Sequence, residues 1–394
     1  MTALATDLSS QLIAAARELA PRIAARGDEI EQARRLPDDI VQDLKDARIF
    51  CMFQPRAYGG DEIDPLTALV VEEELARADA SVAWCIIRGL ASSYLIGAQL
   101  DPEGAADIFG PDPTATLAGG LNPPGDALVA DGGFRVSGRW PFGSGCRHAS
   151  WLGGICRVIE NGEARLTSNG QPEMRFVCFP AGEAEILDTW YTTGLRGTGS
   201  HDVEARDVFV PARRTALAGA ARVRAPETGP LFNAYPLMIF PIEGAFAVGV
   251  AQHALDALVE LAERKTPYMA TQPLREQPGM QETVAEAYAL ISSARHHLRG
   301  ATRELWQAAL AGEDGTPMQR LDLRMAASQA MRSAVRAVDL IHSAAGTTAI
   351  YARSPIERCF RDLHTAEADV AINALTYRTA GRVLFGLPAN NPNF

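Results

Sequence analysis

The segment DGGFRVSGRWPFGSGCRHASWLGG, residues 131–154, decides the fold of the central part of this chain. Gly132–Gly133 and Ser137–Gly138 separate short runs rich in Phe, Val and Trp, which is the pattern of antiparallel strands joined by tight turns. The segment therefore predicts a β-meander.

Within this segment, Trp140 is followed at once by turn residues and a hydroxyl, in the run WPFGSG of residues 140–145. An indole beside a turn can lay its face along a flat heterocycle, while Ser144 and backbone N–H groups donate hydrogen bonds to ring nitrogens. An ordinary hairpin whose Trp fills the hydrophobic core has the same pattern. Spacing alone leaves both interpretations open.

The composition is that of a globular protein large enough for two or three domains. The chain has 394 residues, of which 47% are hydrophobic and 22% charged. Its formal net charge of -11 disfavours nucleic acid and anionic membranes as partners, because both attract clustered Lys and Arg. Small molecules and other proteins remain as partners.

Neither the cysteines nor the first residues indicate export. The six cysteines are scattered without a CxxC pair or a Cys/His ligand spacing, which predicts free thiols in a reducing compartment and no bound metal. The start, MTALATDLSSQLIAAAREL, has neither a basic region nor a long apolar run. The apolar segment 82–96 is interrupted by Arg88 and is too short to span a bilayer, so we expect a buried helix and a cytoplasmic protein without membrane contact.

Changes in composition divide the chain into three predicted domains. Residues 1–112 have helical periodicity, with predicted helix starts at Leu36–Asp39 and Asp64–Pro65. Residues 113–222 consist of short β runs separated by Gly, Asn and Asp, which predicts a β-sandwich or small barrel. Residues 223–394 contain long Ala-rich amphipathic runs, enough for an antiparallel four-helix bundle whose faces suit assembly into a homotetramer.

The run GLRGTGSHD, residues 194–202, is rich in glycine but is not a nucleotide loop. It has neither the dinucleotide-binding nor the P-loop spacing, and it precedes a predicted strand rather than a helix. Ser200, His201 and Asp202 are consecutive, and consecutive strand residues point to alternate faces, so they cannot form a nucleophilic triad. Without a nicotinamide site, reducing equivalents must come from a separate protein or from the substrate.

Three motifs together resemble flavoproteins with the acyl-CoA dehydrogenase fold: GLNPPGDA, GGFRVSGRWPFGSGCRHASW and GLRGTGSHDVEARDVFVP. Within that superfamily the chain is most similar to the oxygenase components of two-component flavin-dependent monooxygenases, such as p-hydroxyphenylacetate, secosteroid-phenol and dibenzothiophene hydroxylases. The resemblance runs from about Arg26 to the C-terminus. It implies an α+β protein with an N-terminal helical domain, a central β-domain and a C-terminal four-helix bundle.

The resemblance also implies a cofactor and its partners. Reduced FMN or FAD is expected between the β-domain and the bundle, with O2 as co-substrate and a separate NAD(P)H:flavin reductase as partner. The flavin is expected to contact residues of two adjoining strands: Gly120, Asn122, Trp140, Phe142 and Ser144. Arg264 matches a position that reaches the flavin phosphate of a neighbouring subunit. The alternative is a cation that interacts with its own helix C-terminus, and position alone does not separate the two.

The last predicted helix, residues 361–386, departs from the pattern. Arg361-Asp-x-His-Thr365 matches the monooxygenases, but the second His that they place further on, in contact with substrate or flavin, is Asp369 here. The dehydrogenases carry a Glu base one residue later, and that position holds Val370. Neither standard base is present.

A continuous helix would separate the two titratable candidates in this segment. Asp362, Thr365, Asp369 and Asn373 would share one stripe, with His364 about 140° away from Asp369. Asp369 beside a flavin can accept a proton or pair with a cationic substrate, whereas a solvated or salt-bridged Asp is the alternative. We therefore treat Asp369 and His364 as the catalytic candidates, with Asp369 first.

A second departure from the family pattern concerns the apolar helix around Trp84. By resemblance, this helix is expected to shield the site from water. The phenol hydroxylases place a His about eight residues beyond this Trp, where this chain reads Ser92-Ser93-Tyr94. Losing both His positions disfavours a phenolate and favours an amine, thioether or electron-rich heterocycle. His201 is a further candidate substrate contact near the pocket entrance.

These observations favour a flavin-dependent monooxygenase over two alternatives. A flavin dehydrogenase or oxidase is disfavoured by Val370, although Asp369 is a conceivable replacement base. A non-catalytic flavin-binding or scaffold protein stays open because both expected His positions are altered.

Overall fold

The computed structural model describes residues 3–219, 223–369, 372, 374–391 and 394. Within this part of the chain, six α-helices come first: α1 (Ala3–Ala24), α2 (Gly27–Ala33), α3 (Asp38–Asp46), α4 (Pro65–Ala78), α5 (Ala80–Ala91) and α6 (Pro102–Phe109). Strands follow: β1 (Leu117–Ala130), β2 (Gly133–Gly143), β3 (Trp151–Glu160), β4 (Glu163–Ala164), β5 (Met174–Pro180), β6 (Glu185–Leu187), β7 (His201–Pro211) and β8 (Thr215–Leu217). The chain ends in α7 (Phe240–Arg264), α8 (Pro278–Leu310), α9 (Pro317–Ala345), α10 (Pro355–Ala366) and α11 (Ala374–Leu384).

Local sequence explains where the first helices begin. Both predicted starts are confirmed, since α3 begins at Asp38 after Pro37, and α4 begins at Pro65 after Asp64. Asp64 accepts a hydrogen bond from the Thr67 N–H at 3.0 Å. Asp79 caps α5 in the same way. Each of these two caps, on α4 and α5, stabilises its helix by about 1 kcal/mol.

The strands form one mixed sheet in the order β6-β7-β2-β1-β3-β5-β8, with β4 paired to β3. The sequence predicted a β-sandwich or a small barrel. In the structure, hydrogen bonds join all eight described strands into one sheet. The β1–β3 pair is parallel, and β1 bulges between Gly120 and Gly125. The bulge carries the cis Asn122–Pro123 peptide and leaves the stretch 121–124 exposed.

One indole is at the centre of the β-domain core. The Trp140 side chain is fully buried, and its Nε1 donates to the Ile155 carbonyl at 2.9 Å. Three glycines leave room for it: a Cβ added to Gly125, Gly138 or Gly154 would lie 2.3–2.6 Å from an indole atom. Glycine is therefore required at these positions for the ring to fit.

The C-terminal domain packs α7, α8 and α9 together, with α10 against α7 and α9. The expectation of one continuous last helix is wrong, because α10 ends at Ala366 and α11 begins at Ala374. Glu367 and Asp369 follow the end of α10, where the helix dipole disfavours negative charge, so these acids do not favour a continued helix. Instead, the Asp369 N–H donates to the Ala366 carbonyl at 3.0 Å and closes a turn. Val370 and Asn373 lie outside the described residues.

A loop of residues 188–199, called the junction loop here, touches all three parts of the chain. Arg34, after α2, pairs with Asp188 at 2.7 Å. Asp362 of α10 accepts the Leu195 N–H at 2.6 Å. Cys85 of α5 donates to the Thr198 carbonyl at 3.8 Å. The loop thus holds the β-domain against both helical regions.

Two helical stretches, Ala80–Gln99 and Leu237–Arg264, are long and apolar enough to cross a membrane by length and composition alone. Their most apolar windows are 67% and 61% buried within the protein. Helices in the interior of a domain meet the same criterion, and the core position of α5 and α7 accounts for their composition.

Candidate active site

The β-domain presents an exposed apolar edge beside the junction loop. Leu121 is 64% exposed and Phe142 is 67% exposed, and Phe142 contacts the half-buried Trp190 edge-on, with ring centroids 6.1 Å apart. A Cβ added to Gly120 would lie 2.6 Å from the Pro141 carbonyl oxygen and 2.7 Å from the Trp140 Cβ, so β1 and β2 approach each other closely here. We call Leu121, Phe142 and Trp190 the apolar ledge.

A chain of three hydroxyls runs inward next to Phe142. Ser144 Oγ lies 2.7 Å from Ser200 Oγ, which lies 2.6 Å from Thr198 Oγ1. Because Thr198 donates its hydrogen to the Leu195 carbonyl, Ser200 donates to Thr198 and Ser144 donates to Ser200. Ser144, which is buried, therefore has lone pairs but no free hydroxyl hydrogen to offer a ligand, whereas the sequence suggested a donor.

The expectation that Trp140 stacks on the flavin is wrong in this structure. Its indole is enclosed by the β-domain core, and its N–H is already bonded. The core alternative, which the sequence left open, describes the residue. The exposed aromatic ring of the same motif is Phe142, which has φ +64°.

His201 is not at a substrate entrance, and it is not a solvated turn residue. Its side chain is 2% exposed, and its Nδ1 accepts the N–H groups of Thr189 and Trp190 at 3.3 and 3.2 Å. Burial lowers the pKa of this imidazole, so the ring is neutral. His201 holds the start of the junction loop.

The two serines and the tyrosine that follow α5 form hydrogen bonds within the protein and contribute more to packing than to the lining of a pocket. Ser92 donates to the Arg88 carbonyl at 2.9 Å, and Ser93 donates to the Leu90 carbonyl at 3.2 Å. Tyr94 is fully buried, and its hydroxyl donates to the Leu231 carbonyl at 3.2 Å. The expectation of substrate contacts is therefore wrong for Ser93 and Tyr94, while Ser92 is half-buried.

Residues Ser92–Ile96 form a π-helix that directly follows α5. Trp84 itself is 7% exposed and packs edge-on against Phe246, with centroids 5.3 Å apart.

A buried group of charges lies one helical turn beyond Cys85. Arg88 donates to Glu243 of α7 at 2.5 Å, and its other terminal nitrogen is 3.6 Å from Asp369. The guanidinium carbon lies 4.5 Å over the Trp84 ring. Glu72 of α4 is fully buried beneath it. We call Glu72, Arg88, Glu243 and Asp369 the Arg88 cluster.

Burial controls the charges in the cluster. It raises the pKa of Glu243 to about 7, against the lowering effect of Arg88. It raises the pKa of Glu72 well above its ordinary value, and neither Glu72 carboxyl oxygen has a hydrogen-bond partner. Burial thus favours the neutral form of both carboxyl groups over the charged form.

Sequence patterns alone did not identify Glu72, Arg88 or Glu243 as site residues. Arg88 and Glu243 are each a single charge within an apolar stretch, in WCIIRGLA and IFPIEGAF, whereas Glu72 is the first of three consecutive Glu residues in LVVEEELA. An isolated charge in a buried apolar helix needs a partner, and that signal was available. The identity of the partner was not, because it lies on another helix.

The structure places Asp369 in the Arg88 cluster but sends His364 elsewhere. His364 Nε2 is 3.0 Å from Asp339 of α9, and its ring packs against Phe360 with centroids 4.4 Å apart on the bundle surface. The Asp369 side chain is 20% exposed, more than the Glu243 side chain, which is 4% exposed. Asp369 is thus the outermost acid of the cluster.

Arg264 is 71% exposed at the end of α7 and pairs with Glu260 at 2.8 Å, one turn earlier. Within one chain this is the helix-end interaction, and contact with a neighbouring subunit's flavin stays a prediction. Asn122 is exposed in the β1 bulge, and Gly120 is buried beside Trp140.

The described residues fit a reduced flavin. The ledge offers an exposed apolar surface to a flat ring, and Ser144 offers lone pairs to a ring N–H. Arg88 is on α5, about one turn beyond Cys85, which contacts the Thr198 carbonyl.

Comparison with known proteins gives a consistent picture. Sequence models of the acyl-CoA dehydrogenase N-terminal and C-terminal domains match residues 6–99 and 242–374. Indole-3-acetate monooxygenase of Pseudomonas putida is 31% identical over 93% of this chain and 91% of its own. The flavin-dependent monooxygenase oxygenase subunit HsaA of Mycobacterium tuberculosis is 32% identical over 98% of both chains.

Solved structures agree with these matches. The 3-HSA hydroxylase from Rhodococcus sp. RHA1 superposes with a TM-score of 0.88 at 29% identity, covering 98% of this chain and 99% of its own. XiaF from Streptomyces sp., solved in complex with FADH2 and glycerol, has a TM-score of 0.90 at 26% identity, covering 99% and 98%. The fold and the family expected from the motifs are confirmed. The chain therefore belongs to the acyl-CoA dehydrogenase superfamily and, within it, to the oxygenase components of flavin-dependent monooxygenases.

Proposed function

We propose that this chain oxygenates a small organic substrate with O2 and reduced FMN or FAD at a site formed by the apolar ledge, the hydroxyl chain and the Arg88 cluster. The observation that carries the proposal is the ledge beside Ser144. Two large apolar side chains more than 60% exposed, next to a hydroxyl with accepting lone pairs, suit a flat ring that carries N–H groups. The related XiaF is a complex with FADH2, which supports reduced flavin as the cofactor.

The reduced flavin supplies the electrons with which O2 becomes able to oxygenate the substrate. The chain contributes binding and orientation. Phe142 and Leu121 bury the apolar face of the ring, and Ser144 accepts a hydrogen bond whose direction is fixed by Ser200 and Thr198. Trp84 and Phe246 form an apolar wall that limits water access from the helical side.

Asp369 handles the proton of the reaction. When oxygen is added to an aromatic or heteroatom substrate, a proton must leave or a developing positive charge must be balanced. The Asp369 carboxylate, 3.6 Å from Arg88, can accept that proton or pair with that charge. His364 has no part in this step because it faces Asp339.

The partners follow from what the described residues contain. A separate NAD(P)H:flavin reductase supplies the reduced flavin, since the glycine-rich loop lacks nucleotide-binding spacing and is used to join the domains. We further propose a cytoplasmic homotetramer without membrane contact. The Ala-rich bundle helices and the net charge of -11 support this part.

The test has two measurements. The purified chain is titrated anaerobically with reduced FMN and with reduced FAD, and then supplied with O2, an electron-rich aromatic substrate and NADH, with or without a flavin reductase. We expect the chain to bind reduced flavin and to form at most one equivalent of oxygenated product from it without the reductase, with continued product formation from NADH only when the reductase is present. NADH oxidation by the flavin-loaded chain alone would contradict the proposal.

A further inference from the structure

The inner end of the hydroxyl chain sets the direction of all its hydrogen bonds. The Leu195 carbonyl can only accept, and it accepts from Thr198 Oγ1 at 2.8 Å and from Trp190 Nε1 at 2.9 Å. The hydroxyl hydrogen of Thr198 therefore points inward. Ser200 must then donate to Thr198 at 2.6 Å, and Ser144 must donate to Ser200 at 2.7 Å.

The outer end of the hydroxyl chain is Ser144. The exposed fraction rises from 2% for Thr198 to 3% for Ser200 and 8% for Ser144. Phe142 of the apolar ledge, two residues before Ser144, is 67% exposed. Among the described residues, Ser200 is the one hydrogen-bond partner of the Ser144 hydroxyl. Ser144 therefore offers lone pairs, and no hydrogen, to a ring that lies against the ledge.

A flavin ring responds differently to an acceptor in its two redox states. N5, the unsubstituted nitrogen of the central ring, carries a lone pair and no hydrogen when the flavin is oxidised, and it carries a hydrogen when the flavin is reduced. An acceptor that cannot donate therefore bonds the reduced ring at this nitrogen. It disfavours the oxidised ring, because two lone pairs then face each other without a hydrogen between them.

We propose that Thr198 is a positioning residue that makes the site selective for reduced flavin: through Ser200 it holds the Ser144 hydroxyl as an acceptor for the hydrogen on N5. The proposal rests on the proposed function, because it concerns the same flavin site. Its consequence is a direction of flavin transfer between two proteins. The site takes up the reduced cofactor, and the oxidised cofactor leaves it and returns to the reductase.

Four ligands test the proposal: oxidised and reduced FMN, and oxidised and reduced 5-deaza-FMN, in which carbon replaces N5. The FAD forms replace them if the titration of the proposed function selects FAD. Dissociation constants are measured anaerobically by calorimetry, without substrate. We expect the wild type to bind reduced FMN at least about tenfold more tightly than oxidised FMN. Oxidised 5-deaza-FMN lacks the opposing lone pair and should bind more tightly than oxidised FMN.

Thr198→Val keeps the shape of the side chain and removes its hydroxyl. The Leu195 carbonyl still accepts from Trp190 Nε1 and from the backbone N–H of residue 198, which lies 3.2 Å away, so it is not left unpaired. Ser200 can now donate to Ser144, whose hydrogen turns outward. The preference for reduced over oxidised FMN should fall by about tenfold or more. The preference between the two 5-deaza-FMN forms should not change, and a purely structural role of Thr198 would not separate the two pairs of ligands.

Three further variants locate the effect. Thr198→Ser retains the hydroxyl and should retain the preference for reduced FMN. Ser200→Ala interrupts the hydroxyl chain and should lower the preference as Thr198→Val does. Thr192→Val is the matched control, because it removes a hydroxyl of the junction loop that bonds the Gly194 carbonyl at 2.9 Å, outside the hydroxyl chain. It should leave the preference unchanged.

An unchanged preference in either Thr198→Val or Ser200→Ala overturns the proposal, as does equal binding of the two FMN forms to the wild type. If one of these variants does not fold, the other decides together with the wild type, in which equal affinities for oxidised FMN and oxidised 5-deaza-FMN overturn the proposal. Failure of the proposed function is a different result, since the wild type then binds no reduced flavin at all.

Discussion

Replacing Trp140 by Ala should destabilise the central domain rather than act mainly on flavin binding. The indole is fully buried, its N–H bonds the Ile155 carbonyl at 2.9 Å, and three glycines are shaped around it. Trp→Ala in a core costs about 3–5 kcal/mol. At about 2–4 °C per kcal/mol for a domain of moderate size, the melting temperature should fall by roughly 6–20 °C.

The assay is thermal unfolding followed by near-UV circular dichroism, beside calorimetric titration with reduced flavin. Gly154→Ala is a complementary change, because its Cβ would lie 2.3 Å from the indole, and it should also lower the melting temperature. The matched control is Phe142→Ala, in the same strand but 67% exposed.

The control should give the opposite pattern. Phe142→Ala is expected to change stability by about 0.5 kcal/mol or less and to weaken flavin binding by about tenfold. The reasoning is refuted if Trp140→Ala melts like the wild type while losing flavin affinity. That result would return Trp140 to the flavin site.

Three further predictions follow from the site. Burial raises the pKa of Asp362 from its ordinary value of 3.8 to about 7. Between these values the folded state keeps a proton that the unfolded chain releases. The stability that protonated Asp362 contributes to the folded state therefore falls as pH rises from 3.8 to about 7. The variant Asp362→Asn keeps an acceptor for the Leu195 N–H, and its melting temperature should therefore rise relative to that of the wild type between about pH 5 and about pH 8. A difference in melting temperature that does not change with pH would contradict a raised pKa for Asp362. Asp369→Asn should reduce product formation strongly and leave flavin binding nearly intact, while His364→Ala has the smaller effect; the reverse order in product assays would make His364 the catalytic group. Ser144→Ala should weaken reduced-flavin binding without changing the melting temperature, and equal affinities in calorimetry would remove the hydroxyl chain from the site.

Local patterns in the sequence predicted the overall organisation well. Pro and acidic residues predicted the starts of α3 and α4, and Gly-separated apolar runs predicted the strands. These features depend on neighbours within a few residues. Together with the motifs around Trp140, they were enough for the fold and the family.

The individual site residues were predicted less well, because their roles depend on tertiary contacts. Trp140 and Tyr94 carry polar atoms that suit a ligand, but each bonds a backbone carbonyl brought close by folding. His201 likewise bonds backbone N–H groups of the junction loop. The Arg88 cluster unites residues up to 297 positions apart, from Glu72 to Asp369, and no local spacing reveals it.

The junction loop limits how such enzymes can be recombined in the laboratory. Its residues are fitted to all three domains at once: Arg34 bonds Asp188, a Cβ at Gly197 would meet Ile30 and Ser81, and Asp362 holds Leu195. A chimera that takes its central domain from a relative therefore inherits a loop shaped for other helices. A hybrid keeps the apolar ledge aligned with the Arg88 cluster only if the partner residues on α2, α5 and α10 are transplanted together with that domain.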